Sequence, residues 1–176
     1  MELGKVLLVG STGYLGSHLA TSLGLDVIAR SETTKQSRDR SFDTIIHASH
    51  FGDLTAEKEF ISSLPGDCYF VFFSSAAVYG DTGLEGASVE DEPKPINDYG
   101  RYKLELENLI RNKFPQHLIL RISNPYGKEN RPGGAYQIFK QAIADKQPVK
   151  IYADQPETVF RDFIYIDDFI SQASTA

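Results

Sequence analysis

A single cysteine, Cys68, stands in this chain of 176 residues. No internal disulfide can form, and a reducing compartment, the cytoplasm, is the expected setting. Positive charge is the scarcer sign: 18 Lys and Arg against 24 Asp and Glu give a net charge of −6. That argues against nucleic-acid binding, which needs a basic face, and against docking on an anionic membrane. No apolar run reaches the ~20 residues of a membrane-spanning helix. The apolar stretch at the N-terminus (MELGKVLLVGSTG) has no basic segment before it, so it does not read as a signal peptide. Internal repeats, low-complexity tracts and linkers are missing too, and no metal site is expected. What remains, 41% hydrophobic and 24% charged residues, is ordinary for a globular protein. The length suits one domain with its own core.

The apolar segments are short and alternate with helical patterns. Lys5–Gly10, Leu25–Ala29, Asp43–Ala48, Cys68–Ser74, His117–Ile122, Val149–Tyr152 and Asp162–Ile166 read as strands or extended runs. Tyr14–Leu23, Leu54–Leu64, Tyr99–Lys113 and Tyr136–Asp145 read as helices. Apolar faces come from Leu15, Leu19 and Leu23, from Phe60, Ile61 and Leu64, and from Leu104, Leu106, Leu109 and Ile110. Ser31–Ser41 and Gly80–Asp98 read as loops, with the acidic run Glu90–Glu92 solvated. CYFVFFS lacks alternation, which predicts a strand buried on both faces. Strands alternating with helices predict a doubly wound parallel sheet of the Rossmann type.

Three stretches carry chemistry. The first is GSTGYLG, where Gly10, Gly13 and Gly16 sit between the first strand and the first helix. In a parallel α/β fold this turn is the preferred phosphate site: amide N–H groups and the helix dipole attract an anion, and glycines let it approach. A bare glycine turn gives the same pattern. At the end of the second strand, where an acid would hold a ribose hydroxyl, the residue is Arg30. An arginine there suits a 2′-phosphate and favours NADP over NAD; a solvated surface arginine is the plain alternative. The second stretch is Tyr99-Gly-Arg-Tyr-Lys103. Tyr99 and Lys103 share a helix face, and a nearby ammonium makes a tyrosine a usable acid or base near neutral pH. Tyr102 is the rival tyrosine and points elsewhere. In the third stretch, Ser74 and Ser75 stand where a buried strand ends, the edge at which ligands bind in such sheets.

Together, in this order, the three motifs resemble the extended short-chain dehydrogenase/reductases, the nucleotide-sugar epimerase/dehydratase group. Asp43-Thr-Ile-Ile-His47-Ala48, Leu120-Arg-Ile-Ser-Asn124-Pro-Tyr126-Gly127 and Arg161-Asp-Phe-Ile-Tyr165-Ile-Asp-Asp168 are similar to the family as well. The resemblance implies a dinucleotide site made of Gly10, Thr12, Gly13, Tyr14, Leu15, Gly16, Arg30, Ala48, Ser49, Ser74 and Lys103. It implies that Tyr99 is the catalytic acid/base, Lys103 its partner and Ser75 the group that hydrogen-bonds the substrate oxygen. Asn124 and Arg161, with Ser75, would contact a nucleoside-diphosphate sugar. His47 reads as a satisfied structural histidine, and His50 needs no catalytic role.

Two departures from the family shape the expectation. The segment between Arg30 and Asp43 is short, so the sheet is abbreviated after its second strand. The sequence given stops at Ala176, so a single dinucleotide-binding domain is expected over residues 1–176, with only the start of a substrate-binding part from residue 124. Ala76 and Ala77 stand where dehydrating members carry acids, which leaves an NAD(P)-dependent epimerase or 4-ketoreductase. A catalytically silent dinucleotide-binding module, or a subunit completed by a partner chain, remains open. A homodimer would form through the Tyr99–Lys113 helix.

Overall fold

A computed structural model describes residues 3–25, 42–127, 134–149 and 161–173. The expected strand Leu25–Ala29, loop Ser31–Ser41 and strand Val149–Tyr152 lie outside them, except for Leu25 and Val149. Arg30 lies outside them as well. The chain divides into two compact units: Met1–Asp81 with Ala87–Ile122, and Thr82–Gly86 with Ser123–Ala176. The reason for the division is in the pairing: the last two described strands pair with each other and not with the main sheet.

The first unit is α/β. Its described strands are β1 (Val6–Val9), β2 (Thr44–His47), β3 (Tyr69–Ser75) and β4 (His117–Ile122), in the order β1-β2-β3-β4. Every pairing is parallel, with rows such as Leu7, Ile45, Phe70 and His117 in register. The helices α1 (Tyr14–Leu23), α2 (Leu54–Ser63) and α3 (Asp98–Lys113) lie between the strands in sequence. This is the Rossmann-type arrangement that the alternating pattern predicts.

Strand parity explains the core. Leu7 and Val9, Ile45, and Phe70 and Phe72 pack with Phe60, Ile61 and Leu64 near α2 and with Leu106, Ile110 and Phe114 near α3. The alternate residues Leu8, Ile46, Val71 and Phe73 are buried on the opposite face. A strand covered on both sides has no reason to alternate, hence CYFVFFS. Of the expected α3 stripe, Leu106 and Ile110 are fully buried, and Leu104 and Leu109 only partly.

Local signals fix the helix starts. Asp53 caps α2 by accepting the Ala56 N–H at 3.1 Å, and Asn97 caps α3 by accepting the Gly100 N–H at 2.8 Å. Arg111 and Lys113 occupy the last turn of α3, where cations suit the helix dipole.

The second unit pairs β5 (Asn124–Tyr126) in parallel with β6 (Phe163–Tyr165). It also holds α4 (Ala135–Ala144) and α5 (Ile166–Ala173). The extended run expected over Asp162–Ile166 therefore ends one residue early, because Ile166 opens α5 with Asp167 and Asp168 in its first turn. Ile166, Phe169 and Ile170 are buried. Tyr126 meets the rings of Tyr136, Phe163 and Tyr165 at 5.0, 6.1 and 5.5 Å.

Candidate active site

The three motifs meet at the edge of the sheet where β1, β2 and β3 end. Gly10 follows β1 with φ +91°, a region that side chains avoid. A Cβ there would lie 2.8 Å from the Ser49 amide nitrogen and 2.9 Å from the Ala48 carbonyl. The Gly13 N–H donates to the Gly10 carbonyl at 2.9 Å. At Gly16 a Cβ would collide with the Gly10 carbonyl oxygen, so the helix sits tightly on the turn. Gly13 is the N-cap of α1 and brings no side chain to its first amides. Thr12 and Gly13 are exposed, and Tyr14 and Leu15 partly so. A cradle without side chains over uncapped helix amides fits a pyrophosphate.

Lys103 is 2% exposed. Its Nζ donates to the Phe73 carbonyl at 3.1 Å and the Ser49 carbonyl at 3.4 Å, 4.7 Å from the centre of the Phe72 ring. The ammonium thus joins the end of β3 to the loop that lies against Gly10. Burial holds Lys103 down to about 8, against the opposing pull of Glu57 and Glu107.

Tyr99, one turn earlier on α3, is 43% exposed. The first turn of α3 presses on the short turn Ala76–Val78, since a Cβ on Gly100 would collide with the Ala77 carbonyl oxygen. Ser75 caps that turn by accepting the Ala77 N–H at 3.2 Å. Its hydroxyl proton is left to donate elsewhere. Tyr99 and Ser75 therefore belong to segments in contact.

Ser74 faces the other way. Its Oγ donates to Glu107 Oε1 at 2.5 Å. Glu107 is fully buried on α3 and also receives Arg121 of β4, at 3.1 Å from Nε and 2.8 Å from Nη2. Arg121 lies 4.5 Å from the centre of the Tyr79 ring. The hydrogen bonds to Glu107 push the Arg121 pKa up.

The Tyr102 hydroxyl is engaged elsewhere, on α2. It donates to Glu57, a fully buried carboxylate on α2 that also accepts the Phe51 N–H at 2.8 Å. Burial and this bond push the Tyr102 phenol up. The His50 ring stands edge-on to both Tyr99 (5.3 Å) and Tyr102 (4.6 Å). Burial, and then Lys103, lower the His50 pKa.

His47 corrects an expectation. It is fully buried, yet not satisfied: among the described residues neither ring nitrogen has a hydrogen-bond partner. Glu57 Oε1 is 3.4 Å from Nε2 without hydrogen-bond geometry. The ring is held instead by Phe51, Phe60 and Phe72. Burial, and then Lys103, lower its pKa to about 3. The unfolded chain takes up this proton near pH 6.5, the folded chain only near 3, so His47 favours folding above 6.5 and loses that contribution as pH falls. His47→Gln should flatten the acid limb of stability by up to about 1.4 kcal/mol per pH unit between those values, measured by urea unfolding at stepped pH. An unchanged slope would mean that the ring is solvated and charged in the folded protein.

Asn124 and Arg161 belong to the second unit. Asn124 opens β5 and donates its side-chain amide to the Asp162 carbonyl at 2.9 Å; Arg161 is exposed just before β6. Among the described residues no helix is long and apolar enough to cross a membrane. Glu57, Glu107 and Arg121 were not singled out from sequence, and His50 was given no role there. Only Glu107, four residues after Lys103 on the same helix face, carries a spacing signal.

The sequence profile of the NAD dependent epimerase/dehydratase family matches residues 61–176. A probable low-salt glycan biosynthesis reductase of Haloferax volcanii is 35% identical over 96 residues, 52% of this chain and 32% of that protein. An ADP-L-glycero-D-manno-heptose-6-epimerase of Brachyspira hyodysenteriae is 34% identical over 113 residues, 57% of this chain and 34% of that protein. The chain thus spans about a third of the length of these curated relatives. Among solved structures, a UDP-glucuronic acid 4-epimerase from Bacillus cereus, in complex with UDP-4-deoxy-4-fluoro-glucuronic acid and NAD, superposes with a TM-score of 0.77. It is 21% identical, over 97% of this chain and 72% of that one. A dTDP-4-dehydrorhamnose reductase from Bacillus anthracis, in complex with NADP, gives a TM-score of 0.72. It is 18% identical, over 98% of this chain and 69% of that one.

Proposed function

The chain belongs to the NAD dependent epimerase/dehydratase family, and from that premise we propose that it is a nicotinamide-dinucleotide-dependent epimerase or 4-ketoreductase of nucleoside-diphosphate sugars. The observation that carries the reading is the convergence of the glycine turn, the Ser75 turn and the Tyr99–Lys103 turn of α3 on one sheet edge, with Lys103 bonded across it.

The dinucleotide would be held by Gly10, Thr12, Gly13, Tyr14, Leu15 and Gly16, by Ala48 and Ser49, and by Lys103. When bound, it would take a hydride from the sugar and return it in an epimerase, or give one up to the sugar ketone in a reductase. Tyr99 moves the proton at the sugar oxygen. Lys103, an ammonium below pH ~8 in the free protein, favours the phenolate of Tyr99 by its charge. Ser75 donates its remaining hydroxyl proton to the same sugar oxygen and so orients it. Ser74 would line the nicotinamide side through its backbone, its hydroxyl being held by Glu107. Asn124 and Arg161 would grip the diphosphate, for which an arginine offers paired donors.

Arg30 is the basis for favouring NADP over NAD. Titration with both cofactors, in oxidised and reduced forms, followed by a screen of nucleotide sugars, tests the whole reading. Arg30→Ala should weaken NADP much more than NAD, and equal losses would remove the preference. A sample that binds dinucleotide but turns over no nucleotide sugar, alone or in a longer form of the chain, would reduce the function to dinucleotide binding.

A further inference from the structure

We propose that Glu57 is a positioning residue for this chemistry: from α2 its carboxylate holds Tyr102, the neighbour of Lys103, and the loop after β2 that packs beside Tyr99. The inference rests on the roles of Tyr99 and Lys103 given above.

Glu57 is fully buried, a place an acid rarely occupies without a counter-charge. Its hydrogen-bond partners are neutral: the Tyr102 hydroxyl and the Phe51 N–H. His47, 3.4 Å away, is neutral as well at ordinary pH. The titratable groups near the Lys103 ammonium are Glu57 from α2, Glu107 from α3, His47 from β2 and His50 from the loop after β2, with the Tyr99 and Tyr102 phenols on its own helix. β3 contributes only the Phe73 carbonyl and the Phe72 ring. Glu107 shares its charge with Arg121 and Arg111. Among the described residues Glu57 is therefore the acid near Lys103 to which no arginine or lysine is bonded. The contacts run without a break: Lys103 over Phe72, Phe72 edge-on to His47 at 5.7 Å, His47 beside Glu57, and Glu57 bonded to Tyr102, the residue before Lys103. Because His50 packs on both Tyr102 and Tyr99, fixing Tyr102 also fixes the ring beside Tyr99.

The test is a titration of Lys103 in the whole chain, read from the lysine ¹³Cε resonances, with Lys103→Arg identifying the signal. In Glu57→Gln the midpoint should fall by about one pH unit, a tenfold loss of proton affinity. An unchanged midpoint in a folded variant overturns the proposal. Tyr102→Phe keeps the carboxylate and removes the hydroxyl that shares its charge, so the midpoint should rise. A fall instead would mean that packing, not charge, sets the lysine, and this variant decides the matter if Glu57→Gln does not fold. In turnover, the alkaline limb of kcat/KM should move down with the midpoint in Glu57→Gln. A midpoint that moves without the limb overturns the positioning role while leaving Tyr99 and Lys103 in place. The midpoint does not depend on any sugar, so a protein without turnover would count against the proposed function alone.

Discussion

Replacing Tyr99 with phenylalanine should lower nucleotide-sugar turnover by about a hundredfold to ten-thousandfold, the usual contribution of a general acid–base group. Fold and dinucleotide affinity should stay near those of the parent. The reason is local. Tyr99 is 43% exposed, and its ring contact with His50 survives the loss of one hydroxyl. Lys103→Met should impair both turnover and dinucleotide binding, since the ammonium joins the ends of β2 and β3. Ser75→Ala should be milder than Tyr99→Phe, though it also removes the cap of the Ala76–Val78 turn. The three act in one step, so their losses should not add. Rates measured across pH for each variant decide the assignment. Wild-type turnover in Tyr99→Phe, with turnover lost in Tyr102→Phe, would give the proton to the other tyrosine.

Glu107→Leu should cost about 3–5 kcal/mol of stability, as removal of one partner of a buried ion pair does. Against a total of about 5–15 kcal/mol, such a loss leaves the protein near its unfolding threshold. The variant strands Arg121, whose side chain is only 12% exposed, and deprives the buried Ser74 hydroxyl of its acceptor. Arg111, 42% exposed, contributes little because water screens it. Adding Arg121→Met should recover most of the loss, because two apolar side chains need no counter-charge. Urea unfolding of both singles and the double closes the cycle. A single-variant cost below about 1 kcal/mol, typical of exposed pairs, would show that water reaches the cluster.

The elements were legible where local signals were strong. An apolar run closed by Gly10 marked β1, and Tyr14–Leu23 and His117–Ile122 have the bounds that the sequence suggests. α3 begins one residue earlier than its apolar pattern because Asn97 caps it. β3 runs to Ser75 because Ser75 pairs with Ile122, and such register is a property of two distant segments. The buried charges were not legible for a related reason. The apolar pattern marks α2 by Phe60, Ile61 and Leu64 and α3 by Leu104, Leu106, Leu109 and Ile110, and it passes over Glu57 and Glu107. Yet Lys103 and Glu107 share the inward stripe with Leu106 and Ile110, and only the neighbouring strand ends, which sequence spacing does not disclose, make room for them.

The parallel sheet also sets an order of assembly. Thr44 pairs with Tyr69, Val6 with Thr44, and Phe70 with His117. The β2–β3 seam closes the shortest span of chain, so it bears the smallest loop entropy. Folding should therefore nucleate on β2, α2 and β3, with β1 and β4 joining later. Truncating Ile45 would then slow refolding, and truncating Leu7 would mainly quicken unfolding; stopped-flow kinetics of the two variants separate this order from its reverse. The glycine turn after β1, where the dinucleotide would bind, is then among the last parts of the unit to form, and ligand cannot guide the early steps. Its binding stabilises only the finished fold and slows its loss.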